Sequence, residues 1–162
     1  MKKLLFALVV VSMTAFTTFS AKADMKVGGG AGYGLDIEEL AIQVGGIYSS
    51  DLPVDIAADF KYYLLDDPLS AWEFNANAQY YITDNDGTNF YLLGGLSYAS
   101  VSVSVDLGPF GGETSTSSSE IGLNIGAGAD IDLGGFTLMP QAKFTIGGLE
   151  QLYLGVFAMF NI

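Results

Sequence analysis

The sequence predicts an all-β protein, an eight-stranded antiparallel up-and-down transmembrane β-barrel. Three observations predict it. Apolar residues recur at every second position in eight segments of about ten residues each, the period and length of a strand with two unlike faces. That apolar set contains no charged residue, although 15% of the chain is charged. The opposite set is polar, small and rich in glycine, which suits the lining of a narrow barrel better than a solvated surface.

The chain begins with Met1-Lys2-Lys3, an apolar run from Leu4 to Phe19, and Ser20-Ala21-Lys22-Ala23. A basic start, an apolar stretch and a small-x-small site read as a secretory leader over residues 1–23, cleaved after Ala23. The run is too short for a helical span of about 20 residues, and Ser12, Thr14, Thr17 and Thr18 interrupt it. Residues 24–162 are then the barrel domain.

The first alternating series runs from Val27 to Leu35 and turns at Asp36-Ile37-Glu38-Glu39. The second runs from Leu40 to Tyr48 and turns at Ser49–Pro53; the third runs from Val54 to Leu64 and turns near Asp66-Asp67-Pro68. Trp72 to Ile82 is the fourth, closed by Thr83–Asn89, and Phe90 to Tyr98 is the fifth. Asp106–Ser119 reads as a long polar loop, followed by Ile121 to Ile131 and a tight turn at Asp132–Gly135. Phe136 to Ile146, the turn Gly147–Gln151, and Leu152 to Ile162 complete the set. Two irregularities stand out. Val101, Val103 and Val105 switch parity relative to Tyr98, which calls for a bulge near Ala99 or a strand that continues above the membrane. Pro140 cannot donate to a ladder, so a local bulge or one missing bond is expected there.

Alternation alone does not say which face points inward. A soluble eight-stranded barrel would put the apolar face inside and would normally cover its outside with Lys, Glu and Arg. Here the second face holds Gly28, Gly30, Gly32, Gly34, Gly122, Gly126 and Gly128. Aromatic residues also cluster at segment ends on the apolar face: Tyr33, Tyr62, Trp72, Tyr98 and Phe144 towards one end, Tyr48, Tyr80, Phe90, Phe136 and Phe160 towards the other. Interfacial girdles require that placement. A closed barrel is the one non-helical way to satisfy every backbone group in lipid.

After the leader, Lys26, Lys61 and Lys143 are the only basic residues against 18 acidic ones, and the chain has neither His nor Cys. So acidic a chain repels a phosphate backbone, which excludes nucleic acid as a partner. The missing residue types remove Ser-His-Asp and Cys-His nucleophiles, the usual zinc sites and disulfides. No catalytic residue, cofactor site or metal site is expected. Gly28-Gly29-Gly30-Ala31-Gly32 has no Gly-Lys-Ser/Thr after it and lies inside a strand, so it is no phosphate loop. The acid pairs Glu38-Glu39 and Asp66-Asp67 lack calcium-loop spacing and read as solvated turn acids.

A leader, eight alternating segments and a terminal amphipathic strand resemble the small outer-membrane β-barrel family, over essentially the whole chain after residue 23. Its familiar members are outer membrane protein X and the transmembrane domain of outer membrane protein A. Gly155 and Phe160 fit the family's C-terminal assembly signal, although Ala158 stands where another aromatic is usual and Asn161-Ile162 follow. The resemblance implies a place in the cell outer membrane, with both termini on the periplasmic side. It implies outer-membrane lipid and lipopolysaccharide as surroundings, the barrel-assembly machinery during biogenesis, and a monomer. The barrel-type enzymes of that membrane rely on His. The expected role is therefore structural or surface-binding, with no chemistry of its own; the alternative is a narrow porin-like or hydrophobic-molecule transport barrel.

One constellation points to an interior ion network. Lys61 and Lys143 sit at polar parity in a face that also holds Asp59, Glu73, Glu120 and Asp130. If Asp66–Ala71 makes a hairpin, Lys61 falls opposite Asn75 or Asn77, with Glu73 near a diagonal position within reach of a long side chain.

Overall fold

A computed structural model describes residues 24–49, 52–83, 87–106 and 113–162. The leader expected over residues 1–23 lies outside the described residues. The strands are β1 (Asp24–Gly34), β2 (Glu39–Ser49), β3 (Asp55–Tyr63), β4 (Leu69–Tyr81), β5 (Thr88–Asp106), β6 (Glu113–Asp132), β7 (Thr137–Ile146) and β8 (Gln151–Asn161). Each pairs antiparallel with the next, and β1 closes on β8 from Lys26↔Asn161 to Gly34↔Tyr153. The result is a closed eight-stranded transmembrane barrel in which the start of β1 at Asp24 and the end of β8 at Asn161 lie at one end, called here the termini end.

The apolar parity faces outward throughout. Leu40, Ile42 and Val44 on β2, Leu92 and Leu96 on β5, and Ile121, Leu123 and Ile125 on β6 are all about half or more exposed, from 50% to 69%. No single strand could hold so much apolar surface in water; together they form a belt suited to hydrocarbon. On the aromatic girdle, Trp72 stacks with Phe60 at 5.8 Å between ring centroids and leans on Tyr98 at 5.6 Å. At the other rim Phe136 meets Phe160 at 5.9 Å.

Inward glycines make the narrow bore possible. A Cβ on Gly30 would collide with the Val156 carbonyl of β8, so β1 and β8 close their seam only because β1 is bare there. The Tyr153 ring occupies the place a Cβ on Gly32 would need, and the Tyr91 ring does the same at Gly128. Small wall residues and large tyrosines thus fill the bore in complementary fashion.

The tight turn expected at Asp132–Gly135 is present: Asp132 Oδ1 accepts the Gly134 N–H at 2.8 Å, and Gly134 takes a φ of 82°. One other expectation needs correction, and two are met by their second alternative. The segment expected as the loop Asp106–Ser119 is strand wherever it is described: 113–119 pair with 100–106, and 107–112 lie outside the described residues. No bulge occurs near Ala99, because β5 keeps one register with β4 and one with β6 throughout. The parity switch arises because β5 continues past the wall as a ribbon with β6. Val101 there turns inward over the barrel mouth and packs with its apolar lining. Pro140 causes no bulge either. Pairing of β7 with β6 is interrupted between Gly128↔Gln141 and Ile131↔Leu138 without a change of register, while Pro140↔Val156 is kept on the β8 side. A missing donor costs ladder bonds on one side only.

Candidate functional site: the lumen and the far rim

β3 and β4 bring the first two charges together. Their hairpin sets Lys61 directly across from Glu73, one step closer than the diagonal that the sequence suggests. Lys143 arrives from β7 across the lumen. Glu73 Oε1 accepts from Lys143 Nζ at 2.7 Å and from Lys61 Nζ at 3.2 Å, and Glu73 Oε2 accepts from the Tyr63 hydroxyl at 3.0 Å. All three charged side chains are at most 1% exposed. Lys61 Nζ also lies 3.9 Å from the centre of the Tyr153 ring, and the Tyr153 hydroxyl donates to Gln43 Oε1 at 3.0 Å.

Amides extend the network. Lys143 donates to Asn75 Oδ1 at 2.5 Å, and Asn75 Nδ2 donates to Asp59 Oδ2 at 2.8 Å. Asn124 donates to both Asn75 Oδ1 and Asn77 Oδ1 and accepts from Thr145. Gln151 donates to the Tyr63 hydroxyl at 2.5 Å. Two lysines and two carboxylates, Glu73 and Asp59, therefore balance in charge within one hydrogen-bonded layer. Ions taken out of water are tolerated only when paired and hydrogen-bonded in this way.

Apolar layers lie on either side. Towards the termini, Ile47, Ala57, Tyr91, Leu93, Met139, Phe157 and Met159 pack together. At the far end, Ala41, Tyr63, Ala71 and Tyr153 form the second layer. Ile37, Leu65, Val101 and Leu149 pack on it, so each of the four far hairpins contributes one apolar side chain to a cap. Between Asp59, Gln79 and Tyr91 the interior leaves a cavity of about 20 Å³, room for about one water.

Of the six residues expected in the network, Lys61, Glu73, Lys143 and Asp59 come together. Glu120 does not. It shares a register row with Ala99 and Glu73, but β6 meets β7 only from Leu123 onward, so Glu120 stands exposed on the ribbon with no wall across from it. Asp130 does not join either. It lies at the termini end, where its Oδ2 accepts from Lys26 Nζ at 3.0 Å and from the Tyr81 hydroxyl at 2.9 Å. Sequence reasoning overlooked Lys26, Tyr63, Tyr153, Gln43 and Gln151 as partners. Lys26 was legible by parity, but its meeting with β6 across the bore follows only from closure. Among the described residues no group of three or more His, Cys, Asp or Glu could hold a metal ion.

This geometry offers a filled interior and an acidic far rim. Solved structures share its architecture. A major outer membrane protein from Thermus thermophilus is similar over 88% of this chain and 100% of its own, with 14% identity and a TM-score of 0.63. The fold is that of the small outer-membrane β-barrels. The N-terminal β-barrel domain of Pseudomonas aeruginosa OprF matches 86% of this chain and 96% of its own at 16% identity, TM-score 0.58. Ail, the attachment invasion locus protein of Yersinia pestis, matches 88% and 100% at 16% identity, TM-score 0.54. No protein-family model matches the chain, and no curated protein is similar to it in sequence.

Proposed function

We propose that this chain is an outer-membrane anchor that neither conducts nor catalyses and that displays its far end for binding. The carrying observation is Glu73, clamped by Lys61, Lys143 and Tyr63 in mid-lumen between two apolar layers. An ion in transit would have to break that clamp and pass both layers. The chain has neither His nor Cys, and Glu73 and Asp59 in mid-lumen are held by lysines and amides, so this reading gives them to the network and not to acid–base or nucleophilic chemistry. Residues 1–23 are the removed export leader in this reading. The barrel-assembly machinery is the partner during insertion, and the working form is a monomer.

The far end faces outward in this reading, and its chemistry is one-sided. Asp36, Glu38, Glu39, Asp66, Asp67, Glu120 and Glu150 lie there, whereas Lys26, Lys61 and Lys143 are all held inside or at the other end. Ail is known in complex with the heparin analogue sucrose octasulfate. A sulfated ligand does not suit this rim, which would repel it. Contact with lipopolysaccharide phosphates would run through divalent cations shared with these carboxylates. Purified protein in planar bilayers is expected to give no stable conductance. Reproducible single-channel steps from clean protein would replace this reading with a transport one.

A further inference from the structure

The termini end of the bore holds an uncompensated charge. Between Lys26, Asp55, Tyr81, Thr83 and Asp130 the barrel opens there into a mouth of about 480 Å³. Asp130 lines it and is only 6% exposed. Its Oδ2 is taken by Lys26 and by the Tyr81 hydroxyl, while its Oδ1 is buried and accepts from no described residue. A carboxylate oxygen held out of water without a donor is costly, and native structures rarely leave one so. The single-water cavity deeper in does not serve it: Gln79 and Tyr91 border that cavity, and Asp130 does not. Asp55 lines the same mouth from β3, where its Oδ2 accepts from Ser49 Oγ at 2.7 Å. Among the described residues, Lys26 is the one base of this lining against two carboxylates, and Asp24 and Asp132 stand exposed at the same end.

We propose that the mouth binds a linear aliphatic diamine or polyamine in its protonated form. One ammonium group would donate to Asp130 Oδ1, and a second, a few methylenes away, to the Asp55 carboxylate across the mouth. What the mouth lacks is N–H donors, whereas an anion would meet the charges of Asp55 and Asp130. A divalent metal ion is the poorer occupant. Hard cations take about six or more oxygen ligands, and among the described residues no group of three or more His, Cys, Asp or Glu gathers here. The methylene stem of an amine also finds apolar surface, on Ile82 and on the Tyr81 ring that meets Tyr91 edge-on at 5.7 Å. This site lies at the other end from the displayed rim and does not depend on what that rim binds.

The test uses the protein in phosphatidylcholine nanodiscs, where both barrel ends meet solution, in low-salt buffer with putrescine as the probe. Calorimetry gives the affinity and backbone amide shifts give the place. Binding is expected with shifts at Lys26, Asp55, Tyr81 and Asp130. Asp55→Asn, which keeps the Lys26–Asp130 pair, should weaken binding about tenfold, as the loss of one hydrogen bond between charged groups requires. Butylamine, with the same stem and a single ammonium, should bind more weakly by a similar factor. Shifts confined to Glu38, Glu39, Asp66 and Asp67, with an affinity unchanged by Asp55→Asn, would overturn the proposal and make the amine a counterion of the far rim. Magnesium chloride binding more tightly at the same mouth residues would overturn it in favour of a metal site. Absence of binding at either end would overturn it as well, and would leave the sealed bore and the anchor reading untouched.

Discussion

Strands β5 and β6 pass through two surroundings. From Thr88 to Ala99, and from Leu123 to Asp132, each is part of a closed wall with lipid on one side and a packed bore on the other. Beyond that they run on as a ribbon that β4 still flanks on the β5 side as far as Leu69↔Val103, and that no described strand flanks on the β6 side. In the wall, Leu92, Leu96, Leu123 and Ile125 alternate with Leu93, Gly95, Asn124 and Gly126, each position matched to one environment. On the ribbon the alternation fades into Ser102, Ser104, Thr116, Ser117 and Ser118, which suit water on either face. The pairing is the same in both parts; what differs is what lies across from it. Stability should therefore reside in the bore, and freedom to change or to bind should reside on the ribbon.

The largest effect is expected where the bore holds charge. Glu73→Leu leaves the Lys61 and Lys143 ammonium groups buried without their shared carboxylate. It should cost about 3–5 kcal/mol in urea unfolding from lipid vesicles, the range for breaking a buried pair. The next concerns the seam. Gly30→Ala pushes a methyl group into the Val156 carbonyl, and β1 must shift from β8. A loss of about 1–3 kcal/mol is expected by the same assay, the usual range for overpacking. The smallest belongs to the ribbon: Ser117→Ala should change stability by no more than about 0.5 kcal/mol, as for exposed positions elsewhere. A ribbon substitution as costly as the seam substitution would erase the contrast between the two regions.

Strand number, order and the outward face were legible in the sequence because lipid imposes a charge-free parity over long stretches. The bore was legible only in part. Lys61, Lys143, Glu73 and Asp59 stood out as charges at inward parity, but parity does not tell which residues meet across a closed circle. That depends on strand stagger, which lifts Glu120 out of the bore and brings Lys26 of β1 to Asp130 of β6. Tyr63 and Tyr153 were illegible for another reason. An inward tyrosine reads as apolar filling, and its role as donor to Glu73 or as a face for Lys61 appears only once the hydroxyl and the ring are placed. The ribbon was misread as a loop because Ser-rich, apolar-poor sequence carries no period, although its backbone pairs as well as any other.

The measurement that most directly tests a bore held by mutual neutralisation is a double-mutant cycle on Glu73 and Lys143, which meet at 2.7 Å. Unfolding free energies of Glu73→Leu, Lys143→Met and the double variant are compared with the parent in the same vesicles. The double variant should lose less than the two single losses combined, by at least about 1 kcal/mol, as residues sharing one ion network do. Additivity within about 0.3–0.5 kcal/mol, the behaviour of independent sites, would contradict the account.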